Sequence, residues 1–200
     1  MATLKGSDMR LALRQHLAGT SARVTDELVI NRQSDKADVA VIQHGHLYGF
    51  EVKTDADSID WLRKEIPYYS SVFDFCTLVT TPKHQASAAS VVPSWWGIYV
   101  CDPDISVIRA AQPHSNVRAE ALVQLLRRDE AVQWLKQLGI QRGIMGRIKL
   151  AAWERILETQ GLEMIRTHVI RCLLSRSHRR PSRILPGTTS SINNIRRPHP

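Results

Sequence analysis

The chain has 200 residues, 43% of them hydrophobic and 23% charged, with a formal net charge of +8. That length suits one ordinary domain with a small appendage, and the apolar fraction is enough to build a core. No run approaches the ~18 apolar residues of a membrane span and no basic-then-apolar leader opens the chain, so a cytoplasmic protein without membrane attachment is expected.

The three cysteines, Cys76, Cys101 and Cys172, match no zinc or disulfide spacing and suit a reducing compartment. The excess charge is concentrated at one end. Glu163 is the last acid, and Arg166, Arg171, Arg176, Arg179, Arg180, Arg183, Arg196 and Arg197 follow it. Such a block either contacts a polyanion or stays solvated as a tail.

Taken in chain order, DMRLALRQHL (8–17) has Met9, Leu11, Leu13 and Leu17 at helical spacing and stops before Gly19. RVTDELVI (23–30) reads as a helix end or an extended lead-in. ADVAVI (37–42) and LYGFEVK (47–53) are apolar runs around the polar QHGH, the pattern of a β-hairpin. Asp55, Asp57 and Ser58 are N-cap candidates for a helix through Ile59, Leu62, Ile66, Tyr69 and Phe73, with a kink or break expected at Pro67. FCTLVT (75–80) predicts a buried strand, PKHQASAASVV (82–92) a short helix, and WGIYVC (96–101) another strand.

The expected fold class is therefore α/β, a small αβββαβ sandwich over residues 1–112. Residues 102–116 read as a loop-rich connection. Helices are predicted around 118–138, 145–160 and 162–176, making 113–176 an all-helical appendage. From 177 to 200 the chain is rich in Arg, Ser, Pro and Asn, a composition expected to be disordered.

Within FEVKT (50–54), period-two alternation puts Glu51 and Lys53 on one strand face. Across a hairpin centred on Gly45, Asp38 meets them on that face. Two carboxylates so close repel unless one takes a proton or a cation sits between them, and oxygen donors favour Mg2+ or Mn2+. Lys53 beside such an ion could stabilise charge on a phosphate. Glu27, in TDEL, is a further candidate ligand. An isolated Glu-x-Lys on a solvated strand, or a structural salt bridge, would need none of this chemistry.

Asp38 followed by Glu51-Val52-Lys53 resembles the PD-(D/E)XK phosphodiesterase superfamily, with Ala37 where the nominal motif has proline. More narrowly, DVAVI, GFEVK, YSSVFDFCTLVT and VPSWWGIYV resemble a family of uncharacterised bacterial nuclease-like proteins. The resemblance implies a restriction-endonuclease-like fold and Mg2+- or Mn2+-dependent hydrolysis of nucleic acid, DNA in preference to RNA. It assigns the metal to Asp38, Glu51, the Val52 carbonyl and Glu27, the last on a helix, and the reacting water or transition state to Lys53. Glu65 stands where relatives often have glutamine, and Lys36 where they often have arginine. Both would lie at the site periphery.

Lys83 and His84 are candidates for phosphate contact at the rim, as are Arg166, Arg171, Arg176, Arg179 and Arg180 on the last helix and tail. The alternative to backbone contact by the helical part is a cap over one side of the sheet. His44 and His46 read as turn residues, and Trp95, Trp96, Tyr68 and Tyr69 as packing residues. A non-catalytic nucleic-acid-binding or adaptor module that keeps the fold is the second functional reading. A homodimer, or a nuclease held by a regulatory protein, is compatible with the first.

Overall fold

The computed structural model describes residues 4–18, 22–32, 35–140 and 149–176. Helix α1 (Gly6–Leu17) leads into strands β1 (Arg23–Val29), β2 (Lys36–Gln43) and β3 (His46–Lys53). A 3-10 turn at Ile59–Trp61 runs into α2 (Leu62–Val72), followed by β4 (Phe75–Thr80), α3 (Pro82–Val91), β5 (Gly97–Cys101) and β6 (Ile105–Arg109). Four further helices follow among the described residues: α4 (Ala119–Gln124), α5 (Arg128–Gln137), α6 (Lys149–Thr159) and α7 (Leu162–Ser175). The expected α/β class with a helical C-terminal part is what the chain adopts. None of the described helices is long and apolar enough to cross a membrane.

The six strands lie in chain order, β1-β2-β3-β4-β5-β6. β1, β2 and β3 pair antiparallel, β3-β4 and β4-β5 parallel, and β6 returns antiparallel to β5. Gln43 pairs with His46, leaving His44 and Gly45 at φ of 50° and 80° in the connecting turn. Two successive positive φ angles match the twist of a tight hairpin, and glycine adopts one at no steric cost. Farther along β3, Gly49 is needed for space, since a Cβ there would lie 2.3 Å from the Phe73 ring.

Alternation along these strands divides the interior in two. Met9 and Leu13 of α1 pack on Val39, Val41, Phe50, Val52 and Val79 from one face. The opposite face carries Ala40, Ile42, Leu47, Leu78 and Ile98, which share a larger core with Tyr69, Phe73, Ala88 and Trp96. Leu122, Trp134, Ile156, Ile165 and Val169, from the four C-terminal helices, and Leu126, between α4 and α5, belong to that same core. The sheet ends with β6 at Arg109, and among the described residues the helical region shares its core with the sheet. It caps one sheet face.

Other expectations change in detail. RVTDELV forms the edge strand β1, so Glu27 comes from a strand and not a helix. The connection at 102–116 contains β6, whose alternation is hidden by its short, half-exposed pattern. The stretch 118–138 divides into α4 and α5. Pro67 lies inside a single helix α2, and the irregularity falls upstream, at the 3-10 turn. Asp57 does not cap that turn: its carboxylate accepts from the Thr54 N–H and hydroxyl, both at 2.7 Å. Residues 141–148 and 177–200, including the expected disordered tail, lie outside the described residues.

Candidate acidic site at the end of the hairpin

Asp38, Glu51 and Lys53 converge at the open end of the β2-β3 hairpin, away from its turn. Glu51 and Lys53 alternate to the α2 side of β3, as the period of two requires. The Lys53 Nζ lies 2.6 Å from Glu51 Oε1 and 2.9 Å from Glu65 Oε2 on α2. Asp38 Oδ2 accepts the Val52 N–H at 2.9 Å, and Oδ1 faces Arg10 of α1 at 3.4 Å. The Tyr69 hydroxyl donates to Glu51 Oε2 and accepts the Asp38 N–H at 3.3 Å, linking the two acidic positions. Thr80 on β4 donates to the Lys53 carbonyl at 3.1 Å and holds that strand end in place.

Burial sets the electrostatics. Glu51 and Lys53 are both buried, with 6% and 9% of their surface exposed. Removal from water, then the charge of Asp38, pushes the Glu51 carboxyl up to about 7 despite its ammonium partner. Asp38 is raised by burial as well, with the Val52 N–H, Arg10 and Lys53 opposing the rise. For Lys53, burial favours the neutral amine, but Glu51 and Glu65 outweigh it and keep the ammonium. Burial and the neighbouring Glu51 charge hold the Tyr69 phenol well above its ordinary value, so it remains a donor. The cluster holds three carboxyl groups against one buried ammonium and the half-exposed Arg10. It is short of positive charge.

Among the described residues, no three His, Cys, Asp or Glu side chains group as a set of metal ligands. The donor chemistry nonetheless fits a hard divalent ion held in part by substrate, since magnesium commonly uses one or two carboxylates, water and phosphate oxygens. Asp38, Glu51 and the Val52 carbonyl are the groups that would hold it. The raised Glu51 carboxyl is the observation behind that fit.

The remaining candidates distribute unevenly. Glu27 and Lys36 pair with each other at 3.2 Å on the exposed β1-β2 edge, with no hydrogen bond or ion pair to the cluster among the described residues. Glu27 stands at φ 50°, a left-handed conformation inside an edge strand. Glu65, expected at the periphery, is a direct partner of Lys53. Lys83 Nζ donates to the Asp55 carbonyl at 2.6 Å and Thr81 to its carboxylate, stapling the loop after β3 to the start of α3. His84 is half-buried at the same rim, its Nε2 without a partner among the described residues.

Arg166 of α7 and Arg176 just after it are tied to carboxylates of the fold. Arg166 binds Asp74 at the start of β4 and lies 3.6 Å from Glu163. Arg176 grips Glu130 through Nε at 2.8 Å and Nη2 at 2.5 Å, and donates to the Leu125 carbonyl. The buried Asp74, just before β4, and the half-buried Glu130 on α5 create these demands, which a charge count along the chain cannot reveal. Arg171 is exposed, while Arg179 and Arg180 lie outside the described residues. A cleft of about 530 Å³ beside Arg166, lined by His44, His46 and His114, lies at the turn end of the hairpin, opposite the acidic cluster. Its charged groups Arg166, Asp74 and Glu163 already satisfy one another, so the acidic cluster is the stronger functional candidate.

Two contributors to the cluster were not legible in the motif. Arg10 comes from a helix 28 residues before Asp38. Tyr69 is expected to pack, and its ring does, but its hydroxyl is central to the polar network. Its place four residues after Glu65 was the available signal.

Residues 9–196 match the family described as Bacteriophage P4 protein cII. Protein cII of Enterobacteria phage P4 is 26% identical over 184 residues, covering 88% of this chain and 69% of that protein. Among solved structures, a protein of unknown function from Silicibacter pomeroyi aligns with a TM-score of 0.48 and 18% identity, over 81% of this chain and 99% of that one. The family match spans the sheet, the acidic cluster and the helical cap, and the chain belongs to the Bacteriophage P4 protein cII family.

Proposed function

We propose that this chain is a divalent-metal-dependent nuclease of the PD-(D/E)XK kind, acting on DNA in a reducing cytoplasm. The observation that carries the reading is the buried Glu51 carboxyl, raised to about 7 beside the half-buried Asp38 and the charged Lys53. Asp38, Glu51 and the Val52 carbonyl would hold Mg2+ or Mn2+; the chemistry supplied by the bound ion is Lewis acidity at a phosphate oxygen. Tyr69 orients the Glu51 carboxylate, and Arg10 and the Val52 N–H orient that of Asp38. Lys53, kept charged by Glu51 and Glu65, offers a fixed ammonium where negative charge develops on the phosphate. The apolar wall of α2 and β4 limits water around these groups and strengthens each interaction.

Cleavage of plasmid and single-stranded DNA with and without Mg2+ tests the reading. Asp38→Ala and Lys53→Ala should each reduce metal-dependent cleavage by about a hundredfold or more. Equal cleavage by both variants and the parent would overturn it.

A second reading is favoured by one contact. Besides Glu51, Glu65 also pairs with Lys53, at 2.9 Å, which leaves the ammonium with two carboxylate partners. A non-catalytic nucleic-acid-binding module would use this triad only to brace α2 on the sheet. Binding without turnover, and no Mg2+ affinity in calorimetry, is its signature.

A further inference from the structure

One short stretch of α2 and its lead-in, WLRKEIPY (61–68), exposes what a soluble surface ordinarily covers. Of the five tryptophans, Trp61 is the exposed one at 61%, while Trp96, Trp134 and Trp153 are buried and Trp95 is half-buried. Tyr68, expected to pack, is 41% exposed. Trp61, Glu65 and Tyr68 are spaced i, i+4 and i+7, so they lie along one stripe of the helix. Glu65, the middle member, is the residue that touches Lys53 of the acidic cluster. The two aromatics therefore flank the candidate active site.

One cation lies against this stripe: Lys64 holds its ammonium 4.0 Å from the centre of the Trp61 ring. The seven-residue step from Trp61, at the end of the 3-10 turn, to Tyr68 on α2 corresponds to about 10 Å of helix axis, roughly two to three nucleotides of a strand. Flat rings stack on any base whose face is open, and an adjacent cation meets a phosphate between. A duplex keeps its base faces covered except at its ends. A protein partner would also bury aromatics, but Lys64 against the Trp61 ring and the place of both rings beside the candidate phosphodiester site suit a nucleic acid with accessible bases.

We propose that Trp61 and Tyr68 form a stacking platform for single-stranded nucleic acid, with Lys64 on its phosphates, leading the strand past the acidic cluster. This names the substrate class and rests on the nuclease reading for its direction. Nothing in the Glu51-Val52-Lys53 motif requires it, so the two can fail separately.

The test is anisotropy of fluorescein-labelled oligo(dT), oligo(rU) and a matched DNA duplex with the full chain in EDTA, where no metal-dependent cleavage occurs. The expected result is single-strand binding at least tenfold tighter than duplex binding, accompanied by a change in Trp61 emission. Trp61→Ala and Tyr68→Ala should each weaken single-strand binding about tenfold, and Trp61→Phe should retain most of it. Both positions are exposed, and circular dichroism checks that each variant is folded. A preference for dT or rU identifies the sugar and supports the platform in either case.

Unchanged single-strand affinity in both alanine variants would overturn the platform. So would a duplex preference, or a loss of self-association in Trp61→Ala with oligonucleotide binding intact. If the parent cleaves DNA with Mg2+ while those variants bind normally, the nuclease reading survives alone. If the variants lose binding but the parent cleaves with no divalent ion, the platform survives and the nuclease reading falls.

Discussion

Glu51 combines two opposing environments, since Lys53 favours its charge while burial and Asp38 disfavour it. The outcome, a carboxyl at about 7 against an ordinary 4.5, has a definite consequence for stability. The folded chain holds this proton more tightly than the unfolded one. Its stabilising contribution is therefore full below pH 4.5 and lost as pH rises through 7. For Glu51 this amounts to on the order of 3 kcal/mol, and Asp38, also raised, acts in the same direction. Urea titrations in EDTA should show the parent weakening between pH 5 and pH 8, with a much shallower loss in Glu51→Gln. Mg2+ should restore stability to the parent at pH 8 and not to the variant. Equal slopes in the two proteins would show that Glu51 is not the group responsible.

The β2-β3 hairpin and α2 show how one small residue sets an approach between elements. Gly49 faces Phe73, at the C-terminal end of α2, with no room for a Cβ. Strand preference alone makes Gly49→Ala stabilising, because glycine costs about 0.5–1 kcal/mol in a strand interior. Overpacking opposes this by about 1–3 kcal/mol, and a 2.3 Å contact with an aromatic ring places the cost at the upper end. Gly49→Ala should therefore lower stability by about 2 kcal/mol, measured by urea titration, and the smaller Phe73→Leu side chain should recover part of it in the double variant. Because α2 also carries Glu65 and Tyr69, displacement at Phe73 is expected to loosen the acidic cluster. Weaker Mg2+ binding by Gly49→Ala in calorimetry checks that coupling.

Across the whole molecule, the helical cap and the sheet are mutually dependent. Ala40, Ile42 and Leu78 on the sheet share their core with Leu122, Trp134, Ile156 and Ile165. Polar ties reinforce it: Arg166 to Asp74 joins α7 to β4, and Arg23 of β1 donates to the Leu174 carbonyl at 2.5 Å. A chain of residues 1–112 would expose a broad apolar face to water. It should show no cooperative urea transition and should aggregate, where the full chain unfolds in one step. A cooperative transition with a dispersed NMR spectrum from the short chain would show that the sheet stands alone.

The hairpin, its turn at His44-Gly45 and the shared face of Glu51 and Lys53 were legible in the residues because they depend on local rules. Side chains alternate every second residue, and a tight turn needs positive φ. Strands β1 and β6 are not legible in the residues, because an exposed edge strand lacks the apolar alternation that marks a buried one. Glu27 and Lys36 look like site residues in the linear motif, yet a neighbouring strand lets them pair with each other. Arg166 and Arg176 look like ligands for phosphate until Asp74 and Glu130, 92 and 46 residues away, come within reach. Local spacing can state which side chains share a face. Which charge meets which partner, and which aromatic stays exposed, depends on contacts between distant segments, since burial and Coulomb energy follow distance in space and not along the chain.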